Sequence, residues 1–376
     1  MKSILSLLSL QCCVLLFISC ERTERSNNSF EGVVINAPIQ NEIIDDSLLR
    51  VSDFFAKIDT LTLENKVLES TLGNIIDAKM VDDLIFIRST SNTLKVFNDK
   101  GEYITQIGNR GRGPGEYLVI SKFDLLKEKE EVSILDNEMN RILIYSFSGD
   151  FIRKIDFEDF IFDFAVLPNG HYLFFNPVYY GDRNRRGLWE IDSNGVFVRQ
   201  LFSVDDKYRH ISVNSHYLVH INPNEIGCQG LEDYDYIYHF KNDSISPDFQ
   251  FKTDIVIPNK IRKQDKQWTN PNKEYTKTSY YESDRLLVIT LTNFQQFVRI
   301  IYDKKYDKTY RQSPGYYERI ESIDNIFPFF TSCYNGNFIY SIDVESIIND
   351  DELHALFPHI TKESNPVLVI FRENND

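Results

Sequence analysis

The turn Asp99-Lys-Gly101-Glu-Tyr-Ile104 returns as Ser148-Gly149-Asp-Phe-Ile152 and again as Ser193-Asn-Gly195-Val-Phe-Val198. Each copy sets a glycine, one variable residue, an aromatic and a β-branched residue in the same order. The glycines are 48 and 46 residues apart. A period of about 40 to 50 residues, with short strands inside it, suits one blade of a β-propeller. Few other architectures accept such a repeat.

The flanks of each turn read as strands. Leu84-Ile-Phe-Ile87 and Leu94-Lys-Val-Phe97 precede the first turn, and Tyr103-Ile-Thr-Gln-Ile107 follows it. The second and third units repeat the plan around Ile142-Leu-Ile-Tyr145 and Leu188-Trp-Glu-Ile191. Short β-rich runs joined by glycine turns are hairpins. A fourth unit turns at Asn242-Asp243, a fifth holds Leu286–Leu291 and Phe297–Tyr302, and Phe338–Ile342 with Val367–Phe371 supply a sixth. A helix is expected from about Val344 to Phe357, and a polar surface excursion between Ile257 and Ser279. The last unit is one strand short, and Asp59-Thr-Leu-Thr-Leu-Glu64 is placed to complete it and remove an exposed edge. The expected fold is all-β: a six-bladed β-propeller whose N-terminal strand closes the last blade. The 42% hydrophobic and 14% aromatic fractions suit sheets packed radially on one another.

Between the first two units lies Gly108-Asn-Arg-Gly-Arg-Gly-Pro-Gly-Glu-Tyr117. Its glycines tolerate positive φ and Pro114 fixes one φ, so the segment is built for sharp turning. Glycine-rich loops also present backbone N–H groups to phosphates, and Arg110 and Arg112 would add charge. No Gly-Lys-Ser/Thr follows, and Leu118-Val-Ile120 continues as strand rather than helix. The preferred reading is a crossover loop between blades, with Arg110 and Arg112 kept as candidate ligand contacts.

The chain opens with Lys2 and an apolar run from Ile4 to Ile18, too short to span a bilayer. Residues 1–19 read as a signal peptide and 20–41, polar and rich in Glu, Arg, Ser and Asn, as a flexible tether, leaving 42–376 for the propeller. The formal net charge is −15, and loss of Lys2 with the leader makes it one unit more negative. So acidic a chain is not expected to have nucleic acid as a partner. Cys228 and Cys333 remain after the leader and Cys20 are set aside, and are expected as buried free thiols. His210, His216, His220 and His239 cluster in sequence without metal-site spacing and are expected on the surface or between strands.

Leu16-Phe-Ile-Ser-Cys20 resembles a bacterial lipobox, with Phe17 in place of the usual leucine. The segment Val96–Ile104, the loop Gly111–Tyr117 and Asn365-Pro-Val-Leu-Val-Ile-Phe371 resemble the six-bladed, NHL-like β-propeller lipoproteins of Gram-negative envelopes. The glycine pattern after Gly195 and the stretch near Trp268 depart from that family. The resemblance implies lipidation of Cys20 and an outer-membrane lipoprotein, at the periplasmic face or the cell surface. It implies no activity.

Asp77, Asp124 and Asp163 fall near the start of the innermost strands of the first three units. A ring of acids at a channel mouth would favour a divalent cation or a glycan, whereas strand-end acids more often pair locally. The function expected is a non-catalytic binding module for a glycan, small molecule or protein, acting as a monomer. The alternative is a metal-dependent lactonase- or lyase-like enzyme, which no Gly-x-Ser-x-Gly elbow or nucleophile–base spacing supports. A further reading makes the aromatics of residues 258–281 an anchor for partner proteins.

Overall fold

The repeated turns are written in side chains as well as in glycine. Three residues before each glycine stands Asn98, Ser146 or Asp192. Asn98 Oδ1 accepts from the amides of Lys100 and Glu102 at 3.0 and 2.9 Å. Ser146 Oγ accepts from the Asp150 amide at 3.0 Å. Asp192 Oδ1 accepts from Asn194 and Val196 at 2.8 and 2.9 Å. In all three the glycine amide returns to the carbonyl of that same residue at 3.0 Å. Gly101, Gly149 and Gly195 take φ of +81°, +96° and +87°, the left-handed region that a Cβ would disfavour. In the fourth unit Asn242 and Asp243, at φ 50° and 58°, do the same work.

The computed structural model describes residues 30–37, 51–176, 185–203, 208–209, 216–229, 236–252, 261–262, 276–292, 297–312 and 330–373. Within the unit Gly32–Asp376, six sheets of four or five strands are the blades. From the channel outward, blade 1 is Ile75–Val81, Leu84–Ser89, Leu94–Asn98 and Tyr103–Gln106. Blade 2 is Lys122–Leu126, Glu131–Asp136, Arg141–Ser146 and Phe151–Asp156. Blade 3 is Asp163–Val166, Tyr172–Asn176, Gly187–Ile191 and Phe197–Phe202. Blade 4 is Leu218–Asn222, Glu225–Gln229, Tyr236–Lys241 and Ser244–Lys252, and blade 5 is Thr276–Glu282, Leu286–Thr292, Phe297–Asp303 and Lys308–Gln312. Blade 6 is Ser332–Tyr334, Asn337–Ile342, Val367–Glu373 and, outermost, Phe55–Thr62.

Middle strands are buried on both faces, and their period of two divides the apolar residues between neighbours. In blade 2, Leu143 and Tyr145 pack toward blade 1, while Ile142 and Ile144 pack toward Phe164, Phe174 and Trp189 of blade 3. The core is therefore a set of slabs, one between each adjacent pair of blades. Closure follows the expected plan. Phe55–Thr62 pairs antiparallel with Val367–Glu373, setting Ile58 opposite Phe371 and Thr60 opposite Val369.

Several local features differ from the sequence reading: Leu118-Val-Ile120, read as strand, is irregular, and the inner strand of blade 2 begins only at Lys122. Val33–Asn36, inside the stretch read as tether, pairs in parallel with Phe249–Lys252 as a fifth strand on the outer edge of blade 4. Ile35 is buried there, so the segment carries an apolar residue worth docking. The single helix is two short ones, Val344–Asn349 and Asp351–Leu356, because Asp350 turns extended and its side chain caps the second helix through the amides of Glu352 and Leu353. The polar excursion ends earlier than expected: Thr276–Glu282 is the innermost strand of blade 5, and Tyr280 and Tyr281 are buried in the slabs on either side. Those two tyrosines are not exposed anchors, and Trp268 lies outside the described residues.

Candidate functional site

The innermost strands carry polar side chains into the channel, where they meet in two tiers. In the inner tier, Asp124 is wholly buried. Its Oδ1 receives Lys79 Nζ of blade 1 at 2.7 Å, and its Oδ2 receives the Val166 amide of blade 3 and faces His220 Nε2 of blade 4, both at 2.7 Å. Burial pulls the Asp124 carboxyl upward, but the charges and hydrogen bonds of His220 and Lys79 win and hold it well below the usual carboxylate range. Lys79 Nζ lies 5.2 and 5.1 Å from the ring centres of Phe123 and Tyr334. Tyr334 of blade 6 donates to the Leu125 carbonyl at 3.1 Å, and Ser332 to the Ala78 carbonyl at 2.5 Å. Residues from five blades close the channel at this level.

Nearer the start of the strands, Asp163 Oδ2 accepts from the amides of Tyr217 and Leu218 of blade 4 at 2.8 and 3.2 Å, and Lys122 Nζ lies 3.9 Å from it. His216 Nε2 stands 3.7 Å from Asp77 Oδ1, an ion-pair distance too long for a hydrogen bond. Burial and the Lys122 charge push the His216 imidazole below its ordinary value. Asp77 stays ionised: burial opposes this, but His216, Lys79 and Arg88 together keep its carboxyl below the usual range. Asp77 Oδ1 is buried without a hydrogen-bond partner among the described residues. Asp77, Asp124 and Asp163 are thus brought to one channel, as inter-blade ties rather than as an open ring of acids.

On the face where the innermost strands begin, the glycine loop borders a cleft of about 600 Å³ at the junction of blades 1 and 2. The loop is folded on itself. Asn109-Arg110 pairs in parallel with Glu116-Tyr117, the Gly111 amide donates to the Tyr117 carbonyl at 2.9 Å, and the Gly113 amide to Glu116 Oε2 at 2.6 Å. A Cβ on Gly111 would strike that Glu116 carboxylate. These amides therefore face inward and do not cradle a phosphate. Tyr145 Oη donates to the Gly115 carbonyl at 2.8 Å, and Arg141 to the Glu116 carbonyl at 2.6 Å, fixing the loop on blade 2. What the loop offers the cleft is Arg110 and Arg112, both exposed.

Arg88, at the end of the second strand of blade 1, joins them. It sits opposite Asp77 in the strand pair and donates to the Ile120 carbonyl at 3.1 Å. Burial pulls its guanidinium downward, and the carboxylates of Asp77 and Asp163 oppose this. Asn92, left-handed at φ 58°, clamps the far wall by donating to the Leu118 carbonyl and accepting from the Ile120 amide, at 3.0 and 2.8 Å. Among the described residues, Glu138 is the one acid in the lining.

A second polar network joins blades 4 and 5. His239 Nδ1 faces Glu225 at 2.6 Å and Asp248 at 3.2 Å, and its Nε2 faces Glu282 at 3.1 Å. Lys241 reaches Asp248 at 2.6 Å and Lys304 reaches Glu282 at 2.5 Å. Glu225, His239 and Asp248 bring possible metal-ligand atoms within 4.8 Å of one another. Burial opposes a charge on His239, but Glu282, Asp248 and Glu225 outweigh it and raise the imidazole to about 11. Three carboxylates and three cations balance, which is the chemistry of a structural tie.

Sequence reasoning brought Asp77, Asp124, Asp163, Arg110 and Arg112 forward, and missed Arg88, Lys79 and Lys122; His216 and His220, read as surface or inter-strand histidines, turn into the channel against Asp77 and Asp124. A period-two reading of the inner strands would have put Lys79 on the face of Asp77, and Lys122 on that of Asp124. Nothing local marks Arg88. Cys20 and His210 lie outside the described residues. Cys228 and Cys333 are both buried free thiols, as expected.

Residues 34–372 match the model of a domain of unknown function, DUF4934. No curated protein matches the chain. The structure is similar to that of a Bacteroides fragilis NCTC 9343 protein described as exported, with a TM-score of 0.72 at 19% identity over 91% of this chain and 100% of that one. It is also similar to a member of the DUF4221 family from Bacteroides vulgatus ATCC 8482, with a TM-score of 0.52 at 10% identity over 85% and 97% of the two chains. Identities this low speak to fold alone. Because the family match runs from the added strand of blade 4 to the last strand of blade 6, the chain belongs to the DUF4934 family, on a six-bladed β-propeller.

Proposed function

We propose that the protein is a non-catalytic binding module of the cell envelope, held at the outer membrane by a lipid on Cys20. Its ligand, a glycan, a small molecule or a protein, seats in the cleft between blades 1 and 2. The observation that carries the reading is a contrast on one face: the channel is filled by the protein's own ion pairs, while the neighbouring cleft of about 600 Å³ stays open and lined by groups with spare hydrogen-bonding capacity. Clefts of about 300–1,000 Å³ are the usual size for small ligands. The leader read over residues 1–19, just before Cys20, and the structural likeness to a protein described as exported support the envelope address. A lactonase- or lyase-like role is not favoured, since Asp124 and Asp163, the acids it would need, are engaged by Lys79, Lys122, His220 and backbone amides.

Two measurements test the reading. Glycan and small-molecule arrays, read with the native protein and with Thr90→Trp, which places an indole at the cleft, should give saturable binding that the variant loses. Absence of binding to every probe class, or turnover of a bound probe, would overturn it. Cys20→Ala should abolish incorporation of radiolabelled palmitate and move the protein from the membrane to the soluble fraction.

A further inference from the structure

Like charges repel, so guanidinium groups gathered at one cleft need negative charge from the protein or from a ligand. Arg88 receives part of it from Asp77 and Asp163. Its Nε is nonetheless buried without a hydrogen-bond partner. Arg110 and Arg112 have no ion pair or side-chain hydrogen bond among the described residues, and the only acid beside them in the lining is Glu138. This stands out in a chain with a formal net charge of −15. A guanidinium presents parallel N–H groups in a plane, the geometry that matches the paired oxygens of an oxyanion. The backbone that carries them is fixed: the Gly111, Gly113 and Glu116 amides are satisfied within the loop, and Tyr145 and Arg141 tie it to blade 2.

We infer that the cleft is an oxyanion site, taking the carboxylate, sulfate or phosphate group of a small organic ligand among Arg88, Arg110 and Arg112. Ile76, Leu118 and Val119 form an apolar wall for the ligand's carbon skeleton, and the Thr90 hydroxyl is also in the lining. The inference rests on the cleft being the ligand seat argued above and adds the charge of what binds there. Recognition is by side chains, not by the backbone amides of a phosphate loop.

The test is isothermal titration of the purified protein with sodium sulfate, sodium phosphate, trigalacturonate and the neutral galactose trimer, each at low and high sodium chloride. The acidic probes should bind and weaken with salt, and the neutral trimer should not bind. Arg110→Ala/Arg112→Ala should weaken the acidic probes by about ten- to a hundredfold. Lys66→Ala/Lys154→Ala, which removes the same charge from exposed sites elsewhere, should leave affinity unchanged. Arg88→Lys, which keeps the charge and loses the fork, should weaken binding while preserving the fold. Trigalacturonate binding tighter than free sulfate and phosphate would place the oxyanion on a sugar; comparable affinities would place recognition in the oxyanion itself. If the neutral trimer binds as well as the acidic one and Thr90→Trp abolishes both, the oxyanion inference falls and the binding module stands. If neither inorganic anions nor either trimer binds, the oxyanion inference falls, and silence on the arrays then removes the binding module as well.

Discussion

His220 Nε2 lies 2.7 Å from Asp124 Oδ2, a contact that spans the channel from blade 4 to blade 2, past blade 3. With Lys79 on the other oxygen and the Val166 amide beside it, one carboxylate ties four of the blades together. The ring is thus held at its centre by charge as well as at its interfaces by apolar slabs.

Removing that carboxylate strands two basic side chains in a buried place. Asp124→Ala should cost about 3–5 kcal/mol, the range for breaking a buried ion pair from one side. Asp124→Asn, which keeps an acceptor for the Val166 amide, should cost less. Chemical denaturation of the three proteins checks the order. Because the Asp124 carboxyl is held below its unfolded value, its stabilisation is complete above about pH 4 and fades as pH falls further. An Asp124→Ala protein as stable as the native one would remove the tie.

The network between blades 4 and 5 should respond at both ends of the pH scale. His239 is raised to about 11, so its contribution is complete below about pH 6.5 and is lost as pH climbs towards 11. Glu282 goes the other way. Burial opposes its charge, but Lys304 and His239 lower it to about 2, so its contribution is complete above about pH 4.5 and lost as pH falls towards 2. Melting temperatures across pH for the native protein and His239→Gln should differ most between these limits and converge in alkali. A constant difference up to pH 11 would contradict the assignment of a charged His239.

At the closing seam Phe371 packs against Phe55 and Phe330 at centroid distances of 5.3 and 5.5 Å. Phe371→Ala should cost about 3–5 kcal/mol, as large-to-small changes at buried aromatics do. Hydrogen exchange should then show early opening of Phe55–Thr62, since that strand is held to the ring through Val367–Glu373. Uniform loosening of all blades would argue that closure does not depend on this seam.

The glycine loop makes a linked prediction. Gly115 is left-handed at φ +71°, and an added Cβ would lie 2.6 Å from the Phe151 ring. Gly115→Ala should destabilise by about 1–3 kcal/mol through the strained backbone and displace Arg110 and Arg112. Acidic-probe binding should therefore fall together with melting temperature. Lower stability with unaltered binding would show that the loop does not position the arginines.

Buried thiols should be chemically silent. Burial pushes both Cys228 and Cys333 well above the ordinary thiol range, so neither offers a thiolate at neutral pH. Iodoacetamide should label both only after denaturation, which mass spectrometry reads directly. Rapid labelling of the native protein would show that the slabs between blades open.

Much of the fold was legible because its signals are local. A glycine with an Asn, Ser or Asp three residues earlier makes its turn within a few residues, as Asn98 and Asp192 do, and alternation of apolar residues needs only one strand. Those signals determined the all-β class, the six units and the N-terminal strand of the last blade. They also placed Asp77, Asp124 and Asp163 on inner strands, and Arg110 and Arg112 at a blade junction. Tertiary structure decided what those residues meet. His220 and Asp124 are 96 positions apart and Ser332 reaches Ala78 over 254, distances across which no local pattern carries information. Val33–Asn36 looked like tether because a four-residue edge strand has almost no pattern of its own; it is a strand only because the edge of blade 4 supplies its partners. Arg88 reads in the sequence as an ordinary strand-end residue, and it belongs to the cleft because the chain, on turning from blade 1 to blade 2, brings the glycine loop back beside it. Hydrogen bonds within a turn are set by neighbours in sequence, whereas the pairing of buried charge is set by which strands the closed ring brings face to face.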